Sequence, residues 1–94
     1  MDFESIAAGL VTELYKAHYT TDMDHIMAGV RVVVDDASDY ASILEAGMEL
    51  IDGLPSPDTA ERSIRVYLKA LYNGLPDLDS GLYESERINK RYYA

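Results

Sequence analysis

Two Gly-Leu-Pro triplets, Gly53-Leu54-Pro55 and Gly74-Leu75-Pro76, each close an apolar run that repeats every three or four residues. That spacing is the period of a helix face. Gly can take the left-handed position after the last helical residue, Leu can fold back on the final turn, and Pro prevents continuation. The triplets therefore cut the chain into helices. They lie 21 residues apart and flank one helix, so they are one turn chemistry used twice. A repeat protein would need more units than that.

Between the triplets, Ser56 is placed to cap a helix over 57–72, with Pro57 in its first position and early acids complementing its dipole. Ala60, Ile64, Tyr67, Leu68 and Leu71 make its apolar face. An earlier helix opens at Asp2 and runs to about Tyr19, with Phe3, Ile6, Ala7, Leu10, Leu14 and Ala17 in phase. Thr20-Thr21-Asp22 breaks that pattern. A second stripe then follows through Met23, Ile26, Met27, Val30, Val33, Val34 and Ala37. The β-branched run Val30-Arg31-Val32-Val33-Val34 would suit a strand, but a lone strand has no partner here, and a helix is expected. Ser38 or Asp39 can cap a third helix carrying Tyr40, Ile43, Leu44, Gly47, Leu50 and Ile51. The stripe crosses this junction with little phase error, so one continuous helix is the alternative. A last, weaker helix would start at Asp79 or Ser80 and carry Leu82, Ile88 and Tyr92. The expectation is an all-α fold, a compact antiparallel bundle of four to five short helices, with residues 1–94 as one helical domain.

Composition narrows the function. No Cys occurs, which removes disulfides, thiolate-held metals and thiol catalysis. No run of about 18 apolar residues offers a membrane span, the first residues are acidic rather than basic as in a signal peptide, and a cytoplasmic location is expected. The net charge is −9, unevenly spread: residues 1–61 hold 13 acids against Lys16 and Arg31. Nucleic-acid phosphates and anionic lipids would repel such a chain, so direct nucleic-acid binding is not expected. A protein with a basic surface is the electrostatically natural partner.

Glu45, Glu49 and Asp52 form one acidic stripe, and Arg62, Arg65 and Lys69 form one basic stripe on the next helix. An antiparallel turn would bring Asp52 to Arg62, Glu49 to Arg65 and Glu45 to Lys69. The alternative for the acidic stripe is a partner. Asp22, Asp24, Asp35, Asp36 and Asp39 are not absorbed by this register. Asp35 and Asp36 at a helix end oppose its dipole, at about 0.3–1 kcal/mol. A continuous helix, a cap at Asp39 or an external basic group would each relieve this. Eight tyrosines are present; Tyr15, Tyr67 and Tyr72 are expected at helix edges with their hydroxyls in water. Tyr83, Tyr92 and Tyr93 sit near Arg87, Lys90 and Arg91, a composition common at interfaces. The candidate partner-binding residues are thus Asp22, Asp24, Asp35, Asp36, Asp39, Arg87, Arg91 and Tyr92. The alternative for the C-terminal group is a last helix docked on the acidic body.

Catalytic signals are weak. Asp22-x-Asp24-His25 with His18 holds metal-ligand types, but not at a recognised spacing. Asp77-Leu78-Asp79-Ser80-Gly81 has its Gly one place early for a calcium loop. No phosphate-binding loop and no nucleophile elbow occur. No catalytic residues, no cofactor and no metal are expected, and the protein is read as not an enzyme. Glu13-Leu14-Tyr15, Tyr40-x-x-Ile43-Leu44-Glu45 and the chain length resemble pediocin-type bacteriocin immunity proteins, although the spacing between the two pieces differs from theirs. That resemblance implies a four-helix bundle that protects a producing cell. The leading expectation is a small acidic binding protein that inhibits or regulates a basic, nucleic-acid-handling partner, of phage or plasmid anti-defence type. An immunity protein is the second expectation, and a helical homodimer with a scaffold role is the third.

Overall fold

In a computed structural model, which describes residues 2–18 and 22–75, four helices account for the apolar periodicities. They are α1 (Phe3–His18), α2 (Met23–Val33), α3 (Ala37–Asp52) and α4 (Thr59–Asn73). The fold is an all-α bundle, without strands among the described residues. Helices α1, α3 and α4 pack on one another, and α2 packs on α1. Among the described residues, Leu14, Ile43, Leu44, Ile64 and Leu68 are the largest fully buried side chains, and no polar side chain is buried with them. The fifth helix proposed from the sequence lies outside the described residues.

The helix starts are built from aspartates. Asp2 accepts the Ser5 amide and hydroxyl. Asp22 caps α2 by accepting the Asp24 amide at 2.9 Å, and Asp36 caps α3 by accepting the Asp39 amide at 3.0 Å. Asp58, not Ser56, caps α4. It accepts the Glu61 amide at 2.8 Å while the Glu61 carboxylate accepts the Asp58 amide at 2.9 Å. This reciprocal box satisfies two amides left open at the helix start, more than a lone Ser does, so the helix begins at Thr59 and Pro57 stays outside it.

The stops fall where the Gly-Leu-Pro triplets put them, but not by the expected backbone. Gly53 and Gly74 cap α3 and α4 in right-handed conformation, with φ −80° and −83°. Their amides continue the helical bonding, Gly53 to the Glu49 carbonyl and Gly74 to the Ala70 carbonyl. Pro55 sits two residues after Gly53, and Pro76 lies outside the described residues.

Helices two and three are not continuous. Val34 leaves helical geometry and turns into the core, and Asp36 is extended at φ −71° and ψ 123°. The break moves Asp36 from an unfavourable helix end to a favourable helix start. Neither Ser38 nor Asp39 caps α3. Arg31 closes the corner: its Nη1 donates to the Val34 carbonyl at 3.0 Å and the Asp35 carbonyl at 3.4 Å. Its guanidinium lies 4.7 Å from the centre of the Tyr40 ring. One cation thus supplies both the positive charge that the end of α2 favours and a stacking contact on α3.

Candidate partner-binding surface

The acids predicted as a binding group divide by how much of their bonding the fold already uses. Asp22 is spent on its cap. Asp24, in the first turn of α2, accepts the Tyr67 hydroxyl at 2.5 Å and so ties α2 to α4. Tyr15 makes the equivalent bond from α1 to Asp58 at 2.7 Å. These hydroxyls are therefore bonded across helices, and not simply wet as the sequence suggested. Burial and the neighbouring Asp24 push the Tyr67 phenol well above its ordinary value. The Glu61 amide, with the Tyr15 hydroxyl, holds the Asp58 carboxyl below the usual carboxylate range.

Asp36 is a structural cap. Asp35 is exposed in the corner between α2 and α3, and only its backbone carbonyl is engaged. Asp39 is half-buried in the first turn of α3, with its amide on Asp36. The structure thus brings Asp35, Asp36 and Asp39 together at one corner and leaves Asp22 and Asp24 at the opposite end of α2. Arg87, Arg91 and Tyr92 lie outside the described residues.

The three-pair register between α3 and α4 is not formed. Asp52 pairs with Arg65, not with Arg62, through two bonds of 3.0 and 3.1 Å. Taking Arg65 for Asp52 leaves Glu49 without that cation. Glu45 and Glu49 are exposed, and neither side chain makes an ion pair or hydrogen bond among the described residues. Like charges four apart on a helix repel by about 0.2–0.5 kcal/mol. The Arg65 guanidinium lowers the Asp52 carboxyl from its ordinary value, and the carboxylate raises the guanidinium in turn.

Apolar exposure is the part the sequence did not assign to a surface. Val32 and Val33 are each 83% exposed at the end of α2. Of Val33 and Val34, both expected on the inward stripe, only Val34 is buried, because the helix ends at Val33 and the chain turns there. Ala28 and Gly29, one turn earlier, are also exposed. The signal was present as the run of five residues with four valines, which exceeds what one inward stripe of α2 can bury. A second partly exposed apolar area lies at the α3–α4 turn, where Leu54, Pro57 and Val66 line a shallow groove beside Arg62 and the Asp52–Arg65 pair.

Among the described residues, no three His, Asp or Glu side chains gather as a metal-binding set, so His18, Asp22, Asp24 and His25 are not assembled. The Asp77–Gly81 segment lies outside the described residues. No helix among the described residues is long and apolar enough to cross a membrane. No family model matches the chain, and no curated protein or solved structure is significantly similar to it.

Proposed function

We propose that this chain is a small acidic binding protein, not an enzyme, that docks on a partner protein through that partner's basic surface and so inhibits or regulates it. The observation that carries this is the set of acids the fold does not use. Asp35 in the corner and Glu45 and Glu49 on the outer face of α3 make no side-chain pair among the described residues. Asp35 lies two residues from the bare Val33 at the end of α2, so an unused acid adjoins an exposed apolar pair, the combination found where the apolar centre of a protein interface meets its polar rim. Where the partner's basic surface handles nucleic acid, carboxylates on a helix face would occupy the positions of phosphates.

An immunity protein acting on a toxin or its receptor is the second reading. The exposed valines favour it, since it requires a mixed contact face and weaker salt dependence.

The test is capture of partners by the tagged protein at low and at moderate salt, with identification by mass spectrometry. A single basic protein released as salt rises supports the acidic-inhibitor reading, because exposed charge pairs are screened over about 10 Å at 0.1 M salt. A toxin or receptor retained at both salt levels supports the second. Capture of no protein at either level counts against both.

A further inference from the structure

The outer face of α2 carries an oddity that the described residues do not account for. A glycine inside a helix destabilises it by about 1 kcal/mol relative to Ala. Gly29 lies in the middle of α2, and a Cβ built there would meet nothing within 4 Å. Among the described residues, no steric need calls for it. On the same exposed side are His25, Ala28, Val32 and Val33, while Met27 is buried and Met23, Ile26 and Val30 pack inward against the core. The result is a helix face with a low shoulder at Ala28 and Gly29 beside a raised, bare apolar end at Val32 and Val33. Such a shoulder lets another helix approach closely, because helix spacing is set by side chains at the contact.

Both ends of this face are acidic. Asp24, whose carboxylate also accepts the Tyr67 hydroxyl and keeps its charge, stands at one end, and Asp35, with the α3 cap Asp36 beside it, stands at the other, a separation of about 15 Å along the helix. That arrangement decides the occupant. A second copy presenting the same face would set acid against acid whether the helices ran parallel or antiparallel. The nearest cation, Arg31, is engaged on Tyr40 and on the corner carbonyls.

We infer that the outer face of α2 is the docking site for a helix of the partner that has small or apolar side chains at its centre and Lys or Arg at both ends, about 15 Å apart. This rests on the reading of a basic partner and names the element of that partner that is recognised. The apolar centre buries Val32 and Val33, the shoulder at Gly29 receives the partner's backbone, and the flanking cations meet Asp24 and Asp35.

The test uses the full chain and three synthetic peptides of about 14 residues, a length that spans the face as a helix. The first has Lys at both ends and an Ala/Leu centre. The second keeps the Lys ends with a Gly/Ser centre. The third keeps the Ala/Leu centre with Glu ends. Binding is followed by amide chemical shifts in titrations of wild type, Gly29→Leu, the double variant Val32→Ser/Val33→Ser, and Gly9→Leu. Gly9 is an exposed glycine on α1 with equally open space and serves as the control. Thermal melts establish that each variant is folded.

The expected result is that the first peptide shifts Ala28, Gly29, Val32 and Val33 in wild type and binds Gly9→Leu equally well. Gly29→Leu and the double variant weaken it at least tenfold, and the third peptide does not bind. Equal affinity of the first two peptides, or shifts elsewhere than α2, would overturn the α2 site while leaving a basic partner standing. Concentration-dependent shifts of the α2 amides without peptide would assign the face to a second copy and overturn the inference. So would shifts of those amides on deletion of residues 76–94, which would assign the face to the chain's own end. No binding by either Lys peptide would overturn the α2 site, and capture at the two salt levels then decides the reading beneath it.

Discussion

Three glycines sit inside helices, and the structure predicts that replacing them by Ala will change stability with opposite signs. Gly9 and Gly29 are exposed, with nothing within 4 Å of the new Cβ. Each replacement should stabilise by about 1 kcal/mol, the ordinary advantage of Ala over Gly in a helix. Gly47 is different. Its Cβ would lie 3.0 Å from Leu68 Cδ1 and 3.5 Å from Val11 Cγ2. Leu68 is fully buried, so it has little room to retreat in a close-packed interior. Overpacking of that kind costs about 1–3 kcal/mol. Set against the same helical gain of about 1 kcal/mol, Gly47→Ala should destabilise by about 1 kcal/mol. For a domain of this size that is a fall in Tm of about 4–8 °C, against a rise of similar size for Gly9→Ala or Gly29→Ala. Thermal and urea melts followed by circular dichroism at the helix band would measure all three. A Gly47→Ala protein as stable as Gly9→Ala would refute the packing of α3 on α4 through this point. The double variant Gly47→Ala/Leu68→Ala sharpens the test: with the clashing methyl gone, the Gly47 change should no longer destabilise.

Asp35→Lys should leave the melting temperature nearly unchanged, whereas Asp36→Lys should lower it and Asp36→Asn should largely restore it, because Asn also caps; melts of the three proteins decide this. Stability should fall as pH drops below about 4, because the carboxyls of Asp52 and Asp58 lie below their ordinary value of 3.8 in the fold, so the unfolded chain takes up protons first. Asp58→Asn should flatten that acid limb in urea titrations at stepped pH. Stability should also fall as pH rises past 10, because the Tyr67 phenol is raised in the fold and the unfolded chain loses its proton first; Tyr67→Phe should reduce this loss.

The all-α class and most of the core were readable because one physical rule governs them: an inward stripe at three- and four-residue spacing must be buried. Ala7, Leu10, Leu14, Ile43, Leu44, Ile64 and Leu68 all obey it. Ile6 and Leu50 lie at the margins of their stripes and stay more than a third exposed. The helix starts were misplaced by two residues where several capping residues compete, as at Ser56 against Asp58. The choice depends on a reciprocal bond from Glu61 that only the folded backbone brings into range. Arg31 was hidden for a similar reason. Its role joins two carbonyls beside it to a ring nine residues away, which needs the corner to exist. The charge register failed because long flexible side chains select partners by reach, and Arg65 reaches Asp52 in preference to Glu49. The candidate surface was half readable. Its acids stand out in the sequence, but separating caps from unused carboxylates requires knowing where each helix begins.

The proposed role turns on whether the unused acids meet a partner's cations. The most direct measurement is the affinity of the captured partner for wild type and for Asp35→Asn, Glu45→Gln and Glu49→Gln, each determined over a range of salt. The account predicts that the logarithm of the affinity falls steeply with the logarithm of salt concentration for wild type. It further predicts a shallower slope for each neutralised acid that contacts the partner, while Asp2→Asn, at the start of α1, leaves the slope unchanged. A slope that is flat in wild type, or identical in all five proteins, would contradict it.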